Sequence, residues 1–331
     1  MIRSRIVGTG FYVPEKVVTN FDLEKIMDTS DEWIRERSGI VERRFVDSEI
    51  GSSGLALEAT VKALANANME PEDIDFIIFA TLSADYFFPG SGVMLQQKLG
   101  IKNIGALDIR NQCTGFIYGL SVADQFIRTG MYKRILVVGS EIHSLGMDLS
   151  TRGRNVAVLF GDGAGAAILE ANDDDDSGIL STHLHADGRY ADVLCCKHPG
   201  SLKNPRVTKE MVDDESFYPF MDGKNVFKHA IIKFCSAINE CLDANGVNKD
   251  DVKLVIPHQA NLRITEAVAN RFNYTLEQVY SNIHKYGNTT AASIPIAMAE
   301  ASQKGKISKG DYVVLVAFGS GFTWGSALIK W

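Results

Sequence analysis

Three residues of this 331-residue chain stand in settings where their side chains could do chemistry. Cys113 lies in Asp108-Ile109-Arg110-Asn111-Gln112-Cys113-Thr114-Gly115-Phe116. An apolar run ends, a short polar turn follows, and a helical pattern begins at or just after the cysteine. The start of a helix carries unpaired N–H groups and about half a positive charge. Both favour thiolate over thiol, and the thiolate is the nucleophile. The competing role is a buried, inert cysteine, a common fate of a free Cys. His258 lies in Val255-Ile256-Pro257-His258-Gln259-Ala260-Asn261, directly after a strand pattern, where loops of α/β folds carry sites. Taken alone, it serves equally as a hydrogen-bonded structural histidine. Asn288 lies in His284-Lys285-Tyr286-Gly287-Asn288-Thr289-Thr290-Ala291-Ala292-Ser293, whose small residues let backbone pack closely. An Asn opening a helix is the ordinary alternative.

Other candidates are weaker. Cys195, Cys196, Cys235 and Cys241 read as structural: the last two fall on an apolar helical face, and the vicinal pair lacks CxxC spacing. Gly161-Asp162-Gly163-Ala164-Gly165 resembles a phosphate loop, but neither GxGxxG nor GK[ST] is present, so close strand packing is the expectation. His183-Leu184-His185-Ala186-Asp187 alternates as metal ligands do, yet reads as a strand edge entering a turn. No metal site is expected.

These residues need elements to carry them. Short apolar runs, suited to strands covered on both faces, fall at Phe76–Ala80, Gly105–Ile109, Ile135–Gly139, Ala164–Leu169, Leu254–Pro257, Tyr312–Phe318 and Trp324–Ile329. Helical spacing marks Ser53–Asn68 and Cys113–Thr129, the latter stopped by Gly130. An internal repeat organises the whole. LANANMEPEDIDFII from Leu64 matches LDANGVNKDDVKLVI from Leu242, about 178 positions on. Gly130 before a strand ending Gly139-Ser140 matches Gly310 before a strand ending Gly319-Ser320, about 180 positions on. Two matches at nearly one offset predict duplicated α/β halves, 1–171 and 178–331. The acidic run Asp173–Asp176 between them reads as a solvated turn. The segment 190–221, rich in Pro, Lys and Asp, is long for a structureless loop and reads as a functional cover.

Composition narrows the class. With 45% apolar and 23% charged residues the chain is globular. A net charge of −7 leaves no overall field for nucleic acid or anionic membrane, so any acidic partner needs a local basic patch. Five cysteines at irregular spacing argue for a reducing compartment rather than a disulfide framework. The N-terminus lacks a signal-peptide pattern, and no apolar run reaches the roughly 20 residues that span a bilayer. A cytoplasmic protein is expected.

Together, CTGF opening a helix, PHQAN after a strand, YGNTTAAS and the C-terminal FGSGFTWGSA resemble the β-ketoacyl-acyl carrier protein synthase III family of the thiolase-like superfamily. The likeness also takes in Thr29-Ser30-Asp31-Glu32-Trp33-Ile34 and FGDGAG at Phe160. It implies a homodimer with a thiolase-like, five-layered αβαβα fold. Cys113, His258 and Asn288 would be catalytic. Cys113 would take an acyl group from an acyl-coenzyme A, a substrate rather than a cofactor. Malonyl-acyl carrier protein would then lose carbon dioxide, and its carbanion would attack the acyl-enzyme. The resemblance also implies that Trp33 and Arg37 flank the adenine of coenzyme A, that Arg152 helps hold it, and that Asn261 contacts the pantetheine arm. Phe88 would close the partner subunit's acyl pocket. Thr29, Met221, Gly223, Phe227, Phe318 and Ser320 complete the implied substrate contacts. Lys228, Arg263 and Arg271 would receive the acidic carrier protein.

The implied reaction builds negative charge on a thioester oxygen, which two neutral donors, His258 and Asn288, would stabilise. One such donor is typically worth ~3–4 kcal/mol. The backbone N–H groups of Cys113 and Ser320 would form a second hole, for the acyl oxygen. Within the family pattern, Asn111, Gln112 and Ser320 are departures. DIRNQC and Arg152-Gly153-Arg154-Asn155 resemble the alkylquinolone-type branch of condensing enzymes. The alternatives are therefore the same chemistry on a larger or aromatic acyl group in secondary metabolism, or acyl transfer or hydrolysis without condensation.

Overall fold

The computed structural model describes residues 2–47, 49–173 and 177–331; most of the acidic run, 174–176, lies outside them. Two sheets form the frame. The first is five-stranded, in the order Arg3–Tyr12, Gly163–Asn172, Arg134–Glu141, Phe76–Ala80, Gly105–Ile109. The second is four-stranded, in the order Gly178–Ala186, Thr323–Lys330, Tyr312–Gly319, Val252–Pro257. From one edge, each sheet runs through two antiparallel pairings and then a parallel one. The first adds a parallel fifth strand, and the second has only a parallel bridge from Val255 to Val279 in the corresponding place. The architecture is thus duplicated.

Helices Gly115–Arg128 and Ser293–Gln303 lie between the two sheets. Helix Gly51–Ala67 covers the outer face of the first, and Gly223–Asn245 with Leu262–Phe272 covers the outer face of the second. These are the five layers αβαβα. Side chains alternate across a strand, so one strand feeds two cores. On Tyr312–Gly319, Val313, Leu315 and Ala317 join the inter-sheet core, while Val314, Val316 and Phe318 join the outer one. Burial on both faces is why these runs read as nearly continuous apolar sequence. The repeat also shows in the helix ends: Asn68 (φ 53°) and Gly246 (φ 61°) stop equivalent helices in the left-handed conformation.

Two strands of these sheets escape the apolar pattern. Arg3–Tyr12 is interrupted by Gly8 and Gly10, which lie under helix Gly51–Ala67. A Cβ at Gly8 would sit 2.5 Å from the Ala63 carbonyl oxygen, and one at Gly10 would sit 2.4 Å from that of Ala59. The glycines are the price of close helix–strand contact. Gly178–Ala186 carries polar side chains on one face: His185 Nε2 lies 2.7 Å from Glu240, and His183 lies 3.5 Å from the same carboxylate. The histidine alternation is thus a strand edge bonded to a helix. The long segment after Tyr190 is closed at its base, where Leu194–Cys195 pairs with Phe220–Met221. Among the described residues no helix is long and apolar enough to cross a membrane.

Candidate active site

Strand Gly105–Ile109 delivers Cys113 to a tight turn, Gln112–Thr114, and the helix proper begins at Gly115. Thr114 Oγ1 lies 2.9 Å from Thr323 Oγ1, which ties this turn to the second sheet. Gly319, at the end of the second sheet's central strand, faces the cysteine. A Cβ there would lie 2.6 Å from Cys113 Cβ and 2.9 Å from the sulfur. Burial pushes the Cys113 thiol up to about 12, and the buried Glu141 adds to this. The backbone N–H groups of Cys113 and Ser320 pull the other way. This runs against the expectation of a resting thiolate: the sulfur is buried ahead of the helix, and burial outweighs the nearby N–H groups.

His258 follows strand Val252–Pro257, and its N–H donates to Val316 O at 2.8 Å. Its Nδ1 lies 2.6 Å from Ser293 Oγ. Burial, aided by nearby His143, lowers its pKa to about 3, so the imidazole is neutral. Asn288 is clamped through its backbone: its N–H donates to Leu159 O at 2.8 Å, and its carbonyl accepts from Gly161 N at 3.1 Å. Thr290 N–H donates to Asn288 Oδ1 at 2.9 Å. With the oxygen engaged, the Nδ2 donor is the end left for a ligand. Cys113, His258 and Asn288 line one cavity of about 580 Å³.

The same cavity is lined by Trp33, Arg37, Met221, Gly223, Phe227, Asn261 and Phe318. Arg263 lines it too, its guanidinium 5.2 Å from the Phe227 ring. Asn261 Nδ2 donates to Arg37 O at 2.7 Å while its Oδ1 caps helix Leu262–Phe272. Lys228, Arg263 and Arg271 are exposed on two adjoining helices, Gly223–Asn245 and Leu262–Phe272. Other expected residues fall outside the lining. Thr29 carries a buried hydroxyl without a hydrogen-bond partner. Ser320 presents its N–H to the cysteine sulfur and donates its hydroxyl to Leu194 O, at the base of the long segment. Phe88 is 81% exposed. Arg152 belongs to a neighbouring cavity of about 220 Å³, where it pairs with Asp148 at 2.7 Å. The cations over the Trp33 ring are Arg37, at 4.6 Å, and Arg154, at 5.4 Å.

Sequence reasoning missed Glu141, His143, Thr290 and Ser293. Glu141 is fully buried and accepts from Ser83 Oγ at 2.6 Å, Leu82 N at 3.2 Å and Thr81 Oγ1 at 3.3 Å; burial raises its carboxyl to about 7. The signal available was an ionisable pair, Glu141 and His143, closing an otherwise apolar strand. The glycine-rich stretch is packing, as expected: a Cβ at Gly165 would meet Ile296 N at 2.6 Å, and one at Gly161 would meet Tyr286 O at 2.3 Å.

A cysteine, a histidine and an asparagine meeting in one cavity at the strand ends of duplicated α/β sheets define a thiolase-like condensing enzyme, an acyltransferase by class. Comparison with known proteins narrows this. A family model described as 3-oxoacyl-[acyl-carrier-protein] synthase III matches residues 107–188, and its C-terminal counterpart matches residues 242–331. The chain is 48% identical to the β-ketoacyl-[acyl-carrier-protein] synthase III of Caldanaerobacter subterraneus, covering 100% of this chain and 98% of that one. It is 46% identical to the enzyme of the same name from Fusobacterium nucleatum, over 98% of each. The crystal structure of 3-oxoacyl-[acyl-carrier-protein] synthase III from Aquifex aeolicus superposes with a TM-score of 0.91 at 43% identity, covering 99% of this chain and 100% of that one. The chain belongs to the β-ketoacyl-acyl carrier protein synthase III family.

Proposed function

We propose that the protein condenses an acyl-coenzyme A with malonyl-acyl carrier protein through an acyl-Cys113 intermediate, beginning fatty-acid chains. The observation that carries this reading is the shared cavity of Cys113, His258 and Asn288, with the Asn288 oxygen already engaged by Thr290 N–H. A plain acyl transferase needs no fixed amide donor facing its cysteine. An enolate does.

Two chemical steps follow. Cys113 attacks the acyl thioester carbonyl as its proton passes to the neutral His258, and the coenzyme A thiolate leaves and takes up that proton. Burial, which pushes the thiol up, favours this coupled transfer over attack by a free thiolate. The backbone N–H groups of Cys113 and Ser320 face the sulfur and serve the acyl oxygen. Malonyl thioester then loses carbon dioxide, and the negative charge moves to its thioester oxygen, where Asn288 Nδ2 and His258 Nε2 donate. The enolate carbon attacks the acyl carbonyl, and Cys113 leaves as thiolate and takes up a proton from solvent. Ser293 suits His258 to both steps. Its hydroxyl lies 2.6 Å from Nδ1 and 2.9 Å from Thr290 O. Turned to the carbonyl, it leaves Nδ1–H as donor and Nε2 as base; turned to Nδ1, it leaves Nε2–H as donor.

Trp33 beneath Arg37 and Arg154 suits the planar adenine of coenzyme A, with Arg154 taking the part expected of Arg152. Lys228, Arg263 and Arg271 supply the local positive surface that an acidic carrier protein needs on a chain of net charge −7. The protein acts in the cytoplasm as a homodimer of chains divided into halves 1–171 and 178–331. Strand Gly105–Ile109 has an open outer edge, and the exposed Tyr86, Phe87 and Phe88 offer apolar surface to a second copy.

The test is intact-mass measurement after incubation with a panel of acyl-coenzyme A thioesters, followed by malonyl-acyl carrier protein. The expected result is one adduct on Cys113, discharged as a β-ketoacyl product appears. An adduct lost to water alone would make the protein a hydrolase. The size of the preferred acyl group separates a fatty-acid starter from a larger or aromatic one.

A further inference from the structure

One buried group behind the cavity has no part in those steps. His143 is 4% exposed, just beyond the end of strand Arg134–Glu141. Its backbone N–H donates to Asp162 Oδ1 at 2.7 Å, and Asp162 is itself held by Val46 N at 2.8 Å. The Phe160 ring packs against the imidazole at 4.7 Å between centroids. Main chain and ring are thus fixed from separate sides, and Nε2 is delivered 2.6 Å from Thr290 Oγ1. Thr290 is an unusual residue. Its φ is +48°, in the left-handed region that β-branched side chains rarely adopt. In that conformation its N–H meets Asn288 Oδ1. A threonine left to itself would relax toward negative φ and carry the N–H away. The side-chain bond to His143 opposes that relaxation.

We infer that His143 is a positioning residue for the malonyl step, holding Thr290 in its left-handed conformation so that Thr290 N–H fixes the Asn288 carboxamide with Nδ2 toward the substrate. The inference rests on the role proposed above for Asn288. An amide released from Thr290 can turn over and present its oxygen to the enolate, replacing a donor with an acceptor. His143 acts here as a hydrogen-bonding group, not a proton carrier, because burial keeps it neutral. A glutamine in its place can therefore do the same work, and a leucine cannot.

Four variants test this: His143→Leu, His143→Gln, Thr290→Val and the double variant His143→Leu/Thr290→Val. Each is assayed for Cys113 acylation by intact mass, for carbon dioxide release from malonyl-acyl carrier protein, and for melting. His143→Leu and Thr290→Val should release carbon dioxide about 10- to 100-fold more slowly, the usual cost of loosening a catalytic group, and slow acyl loading much less, because Thr290 enters that step only through its carbonyl and Ser293. His143→Gln should restore the rate, and the double variant should be no slower than either single one. The proposal is overturned if His143→Leu decarboxylates normally, if loading falls as far as decarboxylation, if glutamine fails as leucine does, or if the single effects multiply. Should His143→Leu not fold, Thr290→Val, a near-isosteric change, decides the matter through the same two rates. A wild-type protein that neither loads nor decarboxylates would sink the functional reading itself; an active wild type with the wrong variant pattern sinks only this inference.

Discussion

Gly319 presses on Cys113 so closely that a Cβ at 319 would lie 2.6 Å from the cysteine Cβ and 2.9 Å from its sulfur. The two residues come from different sheets, and their contact joins the nucleophile to the end of the second sheet's central strand. The next residue, Ser320, supplies one of the two backbone N–H groups that face the sulfur.

Substitution Gly319→Ala should therefore separate these parts. We expect overpacking to cost about 1–3 kcal/mol in stability and Cys113 acylation to slow by about 10²-fold through misplacement. Urea unfolding and intact-mass loading kinetics measure the two effects. Loading at the wild-type rate would show that the close contact has no part in holding the sulfur.

Asn288→Asp keeps the shape of the side chain but exchanges its donor for charge. An ionised carboxylate only accepts. Carbon dioxide release should fall by about 10²–10³-fold, while Cys113 loading stays close to wild type. If loading fails and decarboxylation survives, the role given to Asn288 is wrong.

The protonation state of Cys113 is open to direct titration. With its thiol pushed up to about 12 by burial, alkylation by iodoacetamide should be slow at pH 7 and keep rising with pH, without a plateau below pH 9. Peptide mass mapping isolates Cys113 from the other cysteines. A plateau near neutral pH would restore the thiolate that the sequence suggests.

Stability should depend on pH through His258 and His143. Both have folded pKa values lowered from 6.5 to about 3. Between these values the unfolded chain binds protons that the folded one refuses, so acid favours unfolding. Stability from this source is full above about pH 6.5 and is lost as pH falls toward 3. Each histidine contributes a slope of up to about 1.4 kcal/mol per pH unit. Glu141 works in the opposite sense: its folded pKa, raised from 4.5 to about 7, makes the folded state hold a proton that the unfolded one releases, so it lowers stability as pH rises across that range. Urea unfolding at pH 5 and pH 8 should show His143→Gln with a shallower acid loss than wild type. An unchanged slope would mean that His143 is not held neutral.

Much of the fold was legible because it rests on local pattern. The central strands are apolar on both faces, and the duplicated helix ends recur about 178 positions apart. Strands Arg3–Tyr12 and Gly178–Ala186 were hidden. One carries glycines demanded by a helix encountered only after folding, and the other carries histidines demanded by Glu240 on a distant helix.

The site divides along the same line. By itself the sequence determined which side chains are available: a cysteine just ahead of a helix, a histidine after a strand, an asparagine among small residues, and a family whose motifs run in order. Tertiary structure alone decided their state and aim. It buried the sulfur, which pushes its thiol pKa up. It turned Arg152 to Asp148 and brought Arg154 over Trp33. It set His143 against Thr290, across 147 positions of chain. Hydration is lost, and hydrogen bonds are closed, between groups that meet only when the sheets pack, and no local spacing records who those neighbours will be.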